Sequence, residues 1–498
     1  MYLFPFSQLK KAFLPHFQLI AETHFVNITV DKTALFQYNN ILYDKYCVLL
    51  RRRRIKVSNN TVKTVKFGGS SLASAEQFRK VRDIIFADKD RRYVVPSAPG
   101  KRFKEDTKVT DMLYACYEAA SKGEDIKDIF GKIKERYNSI ISELGLDLSL
   151  ENEYNEIEGA LIHRTGRDYA ASRGEYLNGK ILAAYLGFDF IDASEVIFFR
   201  QNGTFDDEKT NDVLSAVLKR HEYAVIPGFY GVMPNDTIKT FSRGGSDITG
   251  SIVARASQSS IYENWTDVSG FLMADPRIVD NPNPIELVTY RELRELSYMG
   301  ATVLHEDAIF PVRVAGIPIN IKNTNIPDDK GTMIVSHCPP DGNGYITGIA
   351  GKKGFSVITI EKDMMNSEKG FGRRVLQVLE SCDLSFEHLP SGIDTMSVVV
   401  NTAELESMRD LVISNICTAV DPDSISVEDN LALVAVVGRN MAKAKGTAAR
   451  VCHAVARADI NIRMIDQGSD EINIVLGVNE EDYEEAIRAI YARFVEQK

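Results

Sequence analysis

Two short glycine-containing segments carry residue types that bind phosphate. In the first, Lys66 ends an apolar stretch and is followed by Gly68, Gly69 and Ser70. Glycines let successive backbone N–H groups turn toward an anion, and the lysine adds a mobile positive charge. The order differs from that of a P-loop, in which the lysine follows the glycines. A glycine pair after a strand is most often a plain turn, so other segments must decide.

The second segment is Arg243-Gly244-Gly245-Ser246-Asp247. An arginine can hold a carboxylate in two parallel hydrogen bonds, and an aspartate can orient a lysine or a magnesium-bound phosphate. The alternative is an ordinary loop before a helix over 248–256, with Ser246 or Asp247 as its N-cap. Two basic, glycine-rich turns in one region favour a shared anionic ligand.

A third polar cluster contains Thr266, Asp267, Asp275 and Arg277. Its aspartates could bind ribose hydroxyls or a metal ion and its arginine a phosphate, but Asp-Pro-Arg is also a common turn. Glu175 stands in a segment, 172–177, that we expect to open a helix. There it could bind an ammonium group, or it could only favour the helix N-terminus.

These side chains are expected at the carboxyl ends of parallel strands. From residue 61 to about 335, apolar stretches alternate with helical patterns, which predicts βαβ units and a mostly parallel sheet. Strands are predicted at 93–96, 223–227, 260–262 and 318–321, and helices from about 73, from 110 and over 126–144. Ligands bind at the carboxyl ends of strands in such sheets.

Beyond a turn-rich linker at 336–344 the pattern becomes a repeat. Residues 355–428 predict strand–helix–strand–strand–helix–strand, and a second run over 432–494 stops one strand short. The strand at 345–350 lacks a unit of its own, so we expect it to complete the second run. The predicted units are 354–428, and 345–350 together with 429–498.

Composition excludes several classes of protein. The 498 residues suggest about three domains. A net charge of -10 argues against nucleic-acid binding, and no apolar run of about 18 residues predicts a membrane span. Six scattered cysteines predict neither a zinc site nor disulfides and suit a reducing cytoplasm. Residues 1–60 are irregular, and we expect a poorly ordered extension or a stretch upstream of the true start.

Together these segments resemble the aspartate kinases. The resemblance covers about residues 61–498, and its segments occur in the family's order. They are Lys66 to Ser71, Gly174-Glu175, Arg243 to Asp247, Thr266 to Val268 with Asp275 to Arg277, and Val303-Leu304-His305. It implies an α/β fold: an amino-acid-kinase-type three-layer αβα sandwich with a mostly parallel sheet, followed by two ferredoxin-like βαββαβ ACT domains. The implied reaction uses ATP with Mg²⁺ to phosphorylate the side-chain carboxylate of L-aspartate. The product, 4-phospho-L-aspartate, leads to lysine, threonine and methionine.

The resemblance also implies roles for individual residues. Lys66 would meet the transferring phosphoryl group, Glu175 and Arg243 the ammonium and α-carboxylate of aspartate, and Asp247 would organise the phosphate-binding groups. The full implied set is Lys66 and Asp247 as catalytic residues, Ser97, Thr110, Glu175, Arg243 and Ser246 for substrate, and Lys66, Gly68, Gly69, Ser70, Thr266, Asp267, Asp275 and Arg277 for nucleotide, with no resident metal ligand. The side chain of aspartate, with a pKa of about 3.9, is already a nucleophile at neutral pH, so no general base is needed. Thr302 departs from the family, because many members carry a lysine there.

The C-terminal half resembles an amino-acid sensor. The residues implied to bind the effector are Met364, Ser367, Gly370, Phe371, Gly372, Ser391 and Asp394. A helix-cap turn and a hairpin would explain the same residues without a ligand. Lysine is the expected effector ahead of threonine, and the ACT domains are expected to form a homodimer or a dimer of dimers.

Two other functions remain open at this point. One is a related kinase for glutamate or carbamate, which the contexts of Glu175 and Arg243 disfavour. The other is a catalytically inactive ACT-type amino-acid sensor, against which the intact Lys66 and Asp247 argue. A fused homoserine dehydrogenase is not expected, because residue 498 leaves no length for a dinucleotide-binding domain.

Overall fold

The computed structural model describes residues 61–242, 244–300, 304, 306–338 and 346–496. The predictions made for residues 1–60, Arg243, Thr302, His305 and part of the linker therefore lie outside the described residues. Within those ranges, no helix has both the length and the apolar character needed to cross a membrane.

The N-terminal part is built on an eight-stranded sheet of order β3-β4-β2-β1-β7-β9-β10-β8, beside which β5 and β6 form a small hairpin. The strands are β1 (Lys63–Phe67), β2 (Arg91–Pro96), β3 (Asp189–Phe190), β4 (Ala224–Val225), β5 (Tyr230–Val232), β6 (Ile238–Thr240), β7 (Ile261–Thr266), β8 (Leu287–Thr289), β9 (Ile319–Asn323) and β10 (Thr332–Val335). Only the contact between β9 and β10 is antiparallel. The predicted mostly parallel sheet is confirmed.

Helices cover both faces of this sheet. They are α1 (Ala75–Phe86), α2 (Val109–Lys122), α3 (Lys127–Leu144), α4 (Glu151–Ile162), α5 (Arg167–Leu186), α6 (Ala193–Val196), α7 (Asp207–Leu218), α8 (Gly245–Ala256), α9 (Tyr290–Tyr298) and α10 (Phe310–Ala315). Successive strand residues point to opposite faces. Val94 of β2 accordingly packs among side chains of α1 to α5, whereas Val95 packs among those of α7, α8 and α10. Three layers result.

Two predicted helix starts are wrong, and both concern the site. Helix α5 begins at Arg167, so Glu175 lies in its middle. The Ser172 hydroxyl, which we expected near a helix start, donates to the Tyr169 carbonyl inside the helix (2.7 Å). Helix α8 begins at Gly245 and not at residue 248, because Gly244 takes the N-cap position at φ 63°, a left-handed conformation that glycine adopts without strain.

The C-terminal part forms one six-stranded antiparallel sheet of order β12-β13-β11-β14-β16-β15. Its strands are β11 (Gly348–Glu361), β12 (Phe386–His388), β13 (Thr395–Asn401), β14 (Ser424–Val437), β15 (Met464–Asp466) and β16 (Asn473–Asn479). Its helices are α11 (Phe371–Ser381), α12 (Thr402–Glu406), α13 (Arg409–Val420), α14 (Thr447–Arg457) and α15 (Tyr483–Tyr491).

The two long strands β11 and β14 each serve both predicted repeats. Ile349 pairs with Val436 and packs under α14 and α15, whereas Ile358 pairs with Val427 and packs under α11 and α13. The sequence predicted a separate strand for each half of β11 and of β14. They are continuous because register shifts between Lys352 and Val357 let the chain continue while core side chains stay on one face.

Helix α9 of the N-terminal part lies on the opposite face of the C-terminal sheet. Its Glu292 is completely buried and accepts hydrogen bonds from the Thr347 hydroxyl and from the Arg439 backbone N–H (3.0 Å). One turn later, Glu295 accepts from Asn473 (2.6 Å). The two parts of the chain are thus joined by buried polar contacts as well as by apolar packing.

Candidate active site

Lys66 and Asp247 form an ion pair at the carboxyl edge of the N-terminal sheet. Lys66 is the penultimate residue of β1, and its Nζ lies 2.6 Å from Asp247 Oδ1 in the first turn of α8. Asn264, the partner of Lys66 on the adjacent strand β7, donates from Nδ2 to the same oxygen (2.9 Å). Because β2 lies on one side of β1 and β7 on the other, this is a topological switch point, where such sheets bind ligands.

The Gly68-Gly69 turn is shaped by contacts that are distant in sequence. The Gly68 N–H donates to the Trp265 carbonyl (3.0 Å), whereas no backbone partner is seen among the described residues for the N–H groups of Gly69 and Ser70. Gly69 has an ordinary φ of -61°, so its glycine is not required for backbone freedom. A Cβ atom there would lie 2.9 Å from the Ala98 carbonyl oxygen, and this close approach is what requires glycine.

A cavity of about 530 Å³ opens beside this turn. The predicted site residues that line it are Lys66, Gly68, Gly69, Ser70, Ser97, Thr110, Glu175, Asp247, Thr266 and Asp267. Sequence analysis missed Asn264, Lys101 and Lys108, which also line it. The available signal was the Pro-Gly-Lys stretch directly after β2, a loop of the kind that carries binding residues at a strand end.

Glu175 is a buried carboxylate with one unused oxygen. Its Oε2 has no hydrogen-bond partner among the described residues, although the side chain lines the cavity. Burial raises its pKa to about 8, and the Ala98 N–H together with the positive charges of Arg173 and Lys66 only partly opposes this. Gly174 lets α5 pack closely against Ala98 in the loop after β2, since a Cβ atom on Gly174 would lie 2.8 Å from Ala98 Cβ. An unpartnered buried carboxylate of this kind suits a cationic group of a ligand.

Three predicted site residues are placed elsewhere. Asp275 and Arg277 line a second cavity of about 610 Å³, between the loop after β7 and the C-terminal sheet, and pair with each other (2.5 Å). The Arg277 side chain is 87% exposed. Ser246 is buried behind the first cavity, where a Cβ on Gly228 would lie 2.7 Å from its hydroxyl. None of the three is among the described residues that line the Lys66 cavity, and their roles stay predictions.

The residues expected to bind an effector surround one loop. The Met364 N–H donates to Asp394 Oδ1 (2.8 Å), and the Ser367 hydroxyl donates to the Met364 carbonyl (2.8 Å). Gly370 is the N-cap of α11 at φ 81°, and Phe371 is buried beneath it. The chain thus brings Met364 and Asp394 together, although they are thirty residues apart.

The two remaining effector-site candidates meet at strand β13. Ser391 forms an isolated bridge with Met396, and a Cβ on Gly372 would lie 3.7 Å from the Met396 Cε. Ser391 and Gly372 therefore both lie near Met396. Their local contacts in the loop and hairpin account for these residue types without a bound effector.

No group of three or more histidine, cysteine, aspartate or glutamate side chains is arranged to hold a metal ion in the part of the chain that the structure describes. Mg²⁺ is usually bound by one or two carboxylates plus substrate phosphates. Asp267 is an exposed carboxylate at the cavity rim, whereas Asp247 is engaged by Lys66. These residues fit an ion that arrives with a nucleotide.

Comparison with known proteins decides the family. Residues 62–323 match the model of the amino acid kinase family, and residues 434–494 match an ACT domain model. Aspartokinase 3 of Bacillus subtilis is 40% identical over 449 residues, which cover 87% of this chain and 98% of the relative. The chain belongs to the aspartokinase family.

Solved aspartokinase structures agree with this family assignment. The aspartate kinase of Clostridium acetobutylicum, described as an allosteric enzyme, is 52% identical with a TM-score of 0.83, covering 87% of this chain and 100% of that one. Aspartokinase III of E. coli in complex with aspartate and ADP shares the fold at 23% identity and a TM-score of 0.67, covering 87% and 99%. That enzyme is also known in complex with lysine and aspartate. As a member of this family, the chain is an aspartate kinase.

Proposed function

We propose that this aspartokinase transfers the γ-phosphoryl group of ATP to the side-chain carboxylate of L-aspartate in the Lys66 cavity. The product is 4-phospho-L-aspartate, at the entry to lysine, threonine and methionine biosynthesis. The observation that carries the proposal is that the Lys66–Asp247 pair, the Gly69-Ser70 turn and Glu175, whose Oε2 has no partner among the described residues, line one cavity.

The chemical step needs little covalent participation from the protein. A carboxylate oxygen of aspartate attacks the γ-phosphorus, the bond to the β-phosphate oxygen breaks, and ADP leaves with that electron pair. The nucleophile is already ionised, so no base removes a proton. Catalysis then consists of bringing two anions into line and neutralising the charge on the phosphoryl oxygens. Lys66, whose direction is fixed by Asp247, suits this task together with the turn amides.

Glu175 is proposed to hold the substrate ammonium group. It is the buried carboxylate of the cavity, and its spare oxygen provides an acceptor for one N–H. Ser97 and Thr110 lie on the same wall and can bind the substrate's oxygens. Arg243 is proposed to hold the α-carboxylate, and Ser246 to support the wall from behind.

The nucleotide is proposed to place its phosphates at Gly68 to Ser70 and its sugar near Thr266 and Asp267. Mg²⁺ is proposed to arrive on these phosphates. Asp275 and Arg277 follow in the same loop but face the second cavity, so their proposed contact with nucleotide requires the loop to move or the nucleotide to extend past it.

Feedback control is proposed to act through the loop that joins Met364 to Asp394. A carboxylate at that point suits a cationic effector, which favours lysine over threonine. The exposed apolar side chains of Met364 and Ile393 beside it support a dimer, or a dimer of dimers, through the C-terminal sheets. We also propose a catalytic unit of residues 61–335 and regulatory units with the boundaries predicted above. We propose a cytoplasmic location as well, because the five described cysteines are free thiols, as expected in a reducing compartment.

An acyl phosphate assay tests the proposal. Enzyme, ATP and Mg²⁺ are incubated with L-aspartate or L-glutamate in the presence of hydroxylamine, which converts an acyl phosphate into a coloured hydroxamate. We expect hydroxamate from aspartate and little from glutamate. No product from either substrate would support the inactive-sensor alternative, and a preference for glutamate would overturn the substrate assignment.

A further inference from the structure

The loop after β2 forms one wall of the Lys66 cavity. We term residues 97–108 the lip. Its first part is buried and is pinned to the catalytic turn, because the Ser97 N–H donates to the Phe67 carbonyl (3.0 Å) and the Gly100 N–H to the Gly69 carbonyl (2.7 Å). Lys101 and Lys108 lie on the lip and line the cavity, although their side chains are exposed. Whether Lys101 and Lys108 can contact an anionic ligand therefore depends on whether the lip keeps one conformation.

A buried arginine from outside the cavity holds the lip. Arg136 of α3 is 5% exposed, and its Nη2 donates to the Gly100 carbonyl (2.6 Å). Its Nη1 donates to Asp106 Oδ2 (2.7 Å), further along the lip. One guanidinium therefore fixes the lip at two points, on either side of Lys101. The residue whose carbonyl it contacts, Gly100, also donates its own N–H to the Gly69 carbonyl.

Asp106 is the centre of this anchor. It also accepts from Arg102, at the backbone N–H and at Nε (both 2.9 Å). The Arg102 hydrogen bonds, the largest cause, and those from Arg136 hold the pKa of Asp106 well below its usual range against the effect of burial, so the carboxylate stays charged. Arg102 is nearly half exposed and bonds only within the lip, whereas Arg136 ties the lip to the protein body.

We propose that Arg136 is a positioning residue of the catalytic centre, which holds the lip so that Lys101 and Lys108 contact the nucleotide phosphates. The inference rests on the proposed use of the Lys66 cavity. ATP brings several negative charges into a cavity where Lys66 is already paired with Asp247, so further cations are needed.

The first test compares Arg136→Lys with Arg102→Ala. Lysine keeps the positive charge but cannot make two directed contacts at once. We expect kcat/KM for ATP to fall about tenfold to a hundredfold in Arg136→Lys, as for the loss of one charge-assisted hydrogen bond or two, and less than about fivefold in Arg102→Ala. Hydrogen exchange of backbone amides in the lip should accelerate in Arg136→Lys, with only a small change in the melting temperature.

A double-mutant cycle separates positioning from general stability. Lys101→Ala/Lys108→Ala should lower kcat/KM for ATP without accelerating exchange in the lip. When Arg136→Lys is added to the double lysine variant, kcat/KM for ATP should fall by less than about a further threefold, because the lysines that Arg136 positions are already gone. The positioning role would be overturned if Arg136→Lys lowered kcat/KM for ATP as strongly in the double lysine variant as in the unmodified enzyme. It would also be overturned if Arg136→Lys alone changed kcat/KM as little as Arg102→Ala does.

The result remains decisive if Arg136→Lys fails to fold. The lysine variants alone then test the claim, and an unchanged kcat/KM for ATP in the double lysine variant contradicts it. Failure of the proposed function is a separate outcome, seen as no hydroxamate from the unmodified enzyme with aspartate.

Discussion

Glu175 should make aspartate binding depend on pH. Its carboxyl group is buried in the middle of α5, and burial raises its pKa to about 8 against the opposing effects of the Ala98 N–H, Arg173 and Lys66. An ammonium group binds well only to the ionised carboxylate. At pH 7 roughly one free enzyme molecule in ten would carry that charge, because the pH lies about one unit below this pKa.

The size of the effect follows from this pKa. Each pH unit below about 8 adds about 1.4 kcal/mol to the free energy of binding aspartate, since Glu175 must first lose its proton. Between pH 7 and pH 9 the KM for aspartate should therefore fall roughly tenfold. The kcat should change little, because Glu175 is already ionised in the complex with substrate.

Replacing the carboxyl group by an amide removes this titration. Glu175→Gln keeps the shape and the acceptor for Ala98, so its KM for aspartate should be high and independent of pH. Its stability should rise above that of the unmodified enzyme. A carboxyl group whose pKa rises from 4.5 to about 8 on folding lowers the free energy of unfolding as pH increases through this range, by about 3 kcal/mol at pH 7.

Initial rates measured from ADP release, at saturating ATP and between pH 6.5 and 9, provide the assay, and thermal melting provides the stability comparison. The upper limit keeps the amino group of aspartate mostly protonated. A KM for aspartate that stays flat across this range in the unmodified enzyme would refute the reasoning. So would a Glu175→Gln variant that retains the same dependence on pH.

Three further substitutions test other parts of the molecule. Lys66→Ala should lower kcat by about two orders of magnitude or more while calorimetry shows aspartate still binding, and near-normal turnover would contradict its role. Asp394→Ala should raise the lysine concentration for half-inhibition about tenfold, as expected for a lost charged contact, whereas an unchanged inhibition curve would place the effector elsewhere. Glu292→Gln should cost about 3 kcal/mol of unfolding free energy because it removes the negative charge of a completely buried carboxylate that pairs with Arg439 and accepts from Thr347. Arg291→Ala, which breaks the exposed pair with Asp470, is its control, and equal melting temperatures in the two variants would show that the buried contact contributes nothing special.

Local chemistry predicted the elements around Lys66 well. A strand followed by glycines and hydroxyls was enough to predict the turn after β1, and the second glycine pair marked the region where α8 begins, although the expected start at residue 248 was three residues late. The reason for Gly69 could not be predicted. It lies in the close approach of Ala98 and Gly100, some thirty residues later, which only the folded sheet brings together.

The wrong and missing predictions share a tertiary cause. Ser172 is a residue type favoured at helix starts, but inside α5 its hydroxyl bonds to the preceding turn, so residue type alone misplaced the helix. Arg136 lies within the helix predicted over residues 126–144, and nothing local distinguishes it from the other charged residues of that helix. The shared strands β11 and β14 depend on register shifts that leave no clear pattern of hydrophobic residues.

The most direct test of phosphoryl transfer to aspartate follows an oxygen atom. L-Aspartate labelled with ¹⁸O in its side-chain carboxylate is turned over with ATP, and hydroxylamine then releases phosphate from the acyl phosphate by attack at carbon. The released phosphate should carry one ¹⁸O from the substrate, and Lys66→Ala should slow its formation by about two orders of magnitude or more. Released phosphate without label would contradict transfer to the side chain.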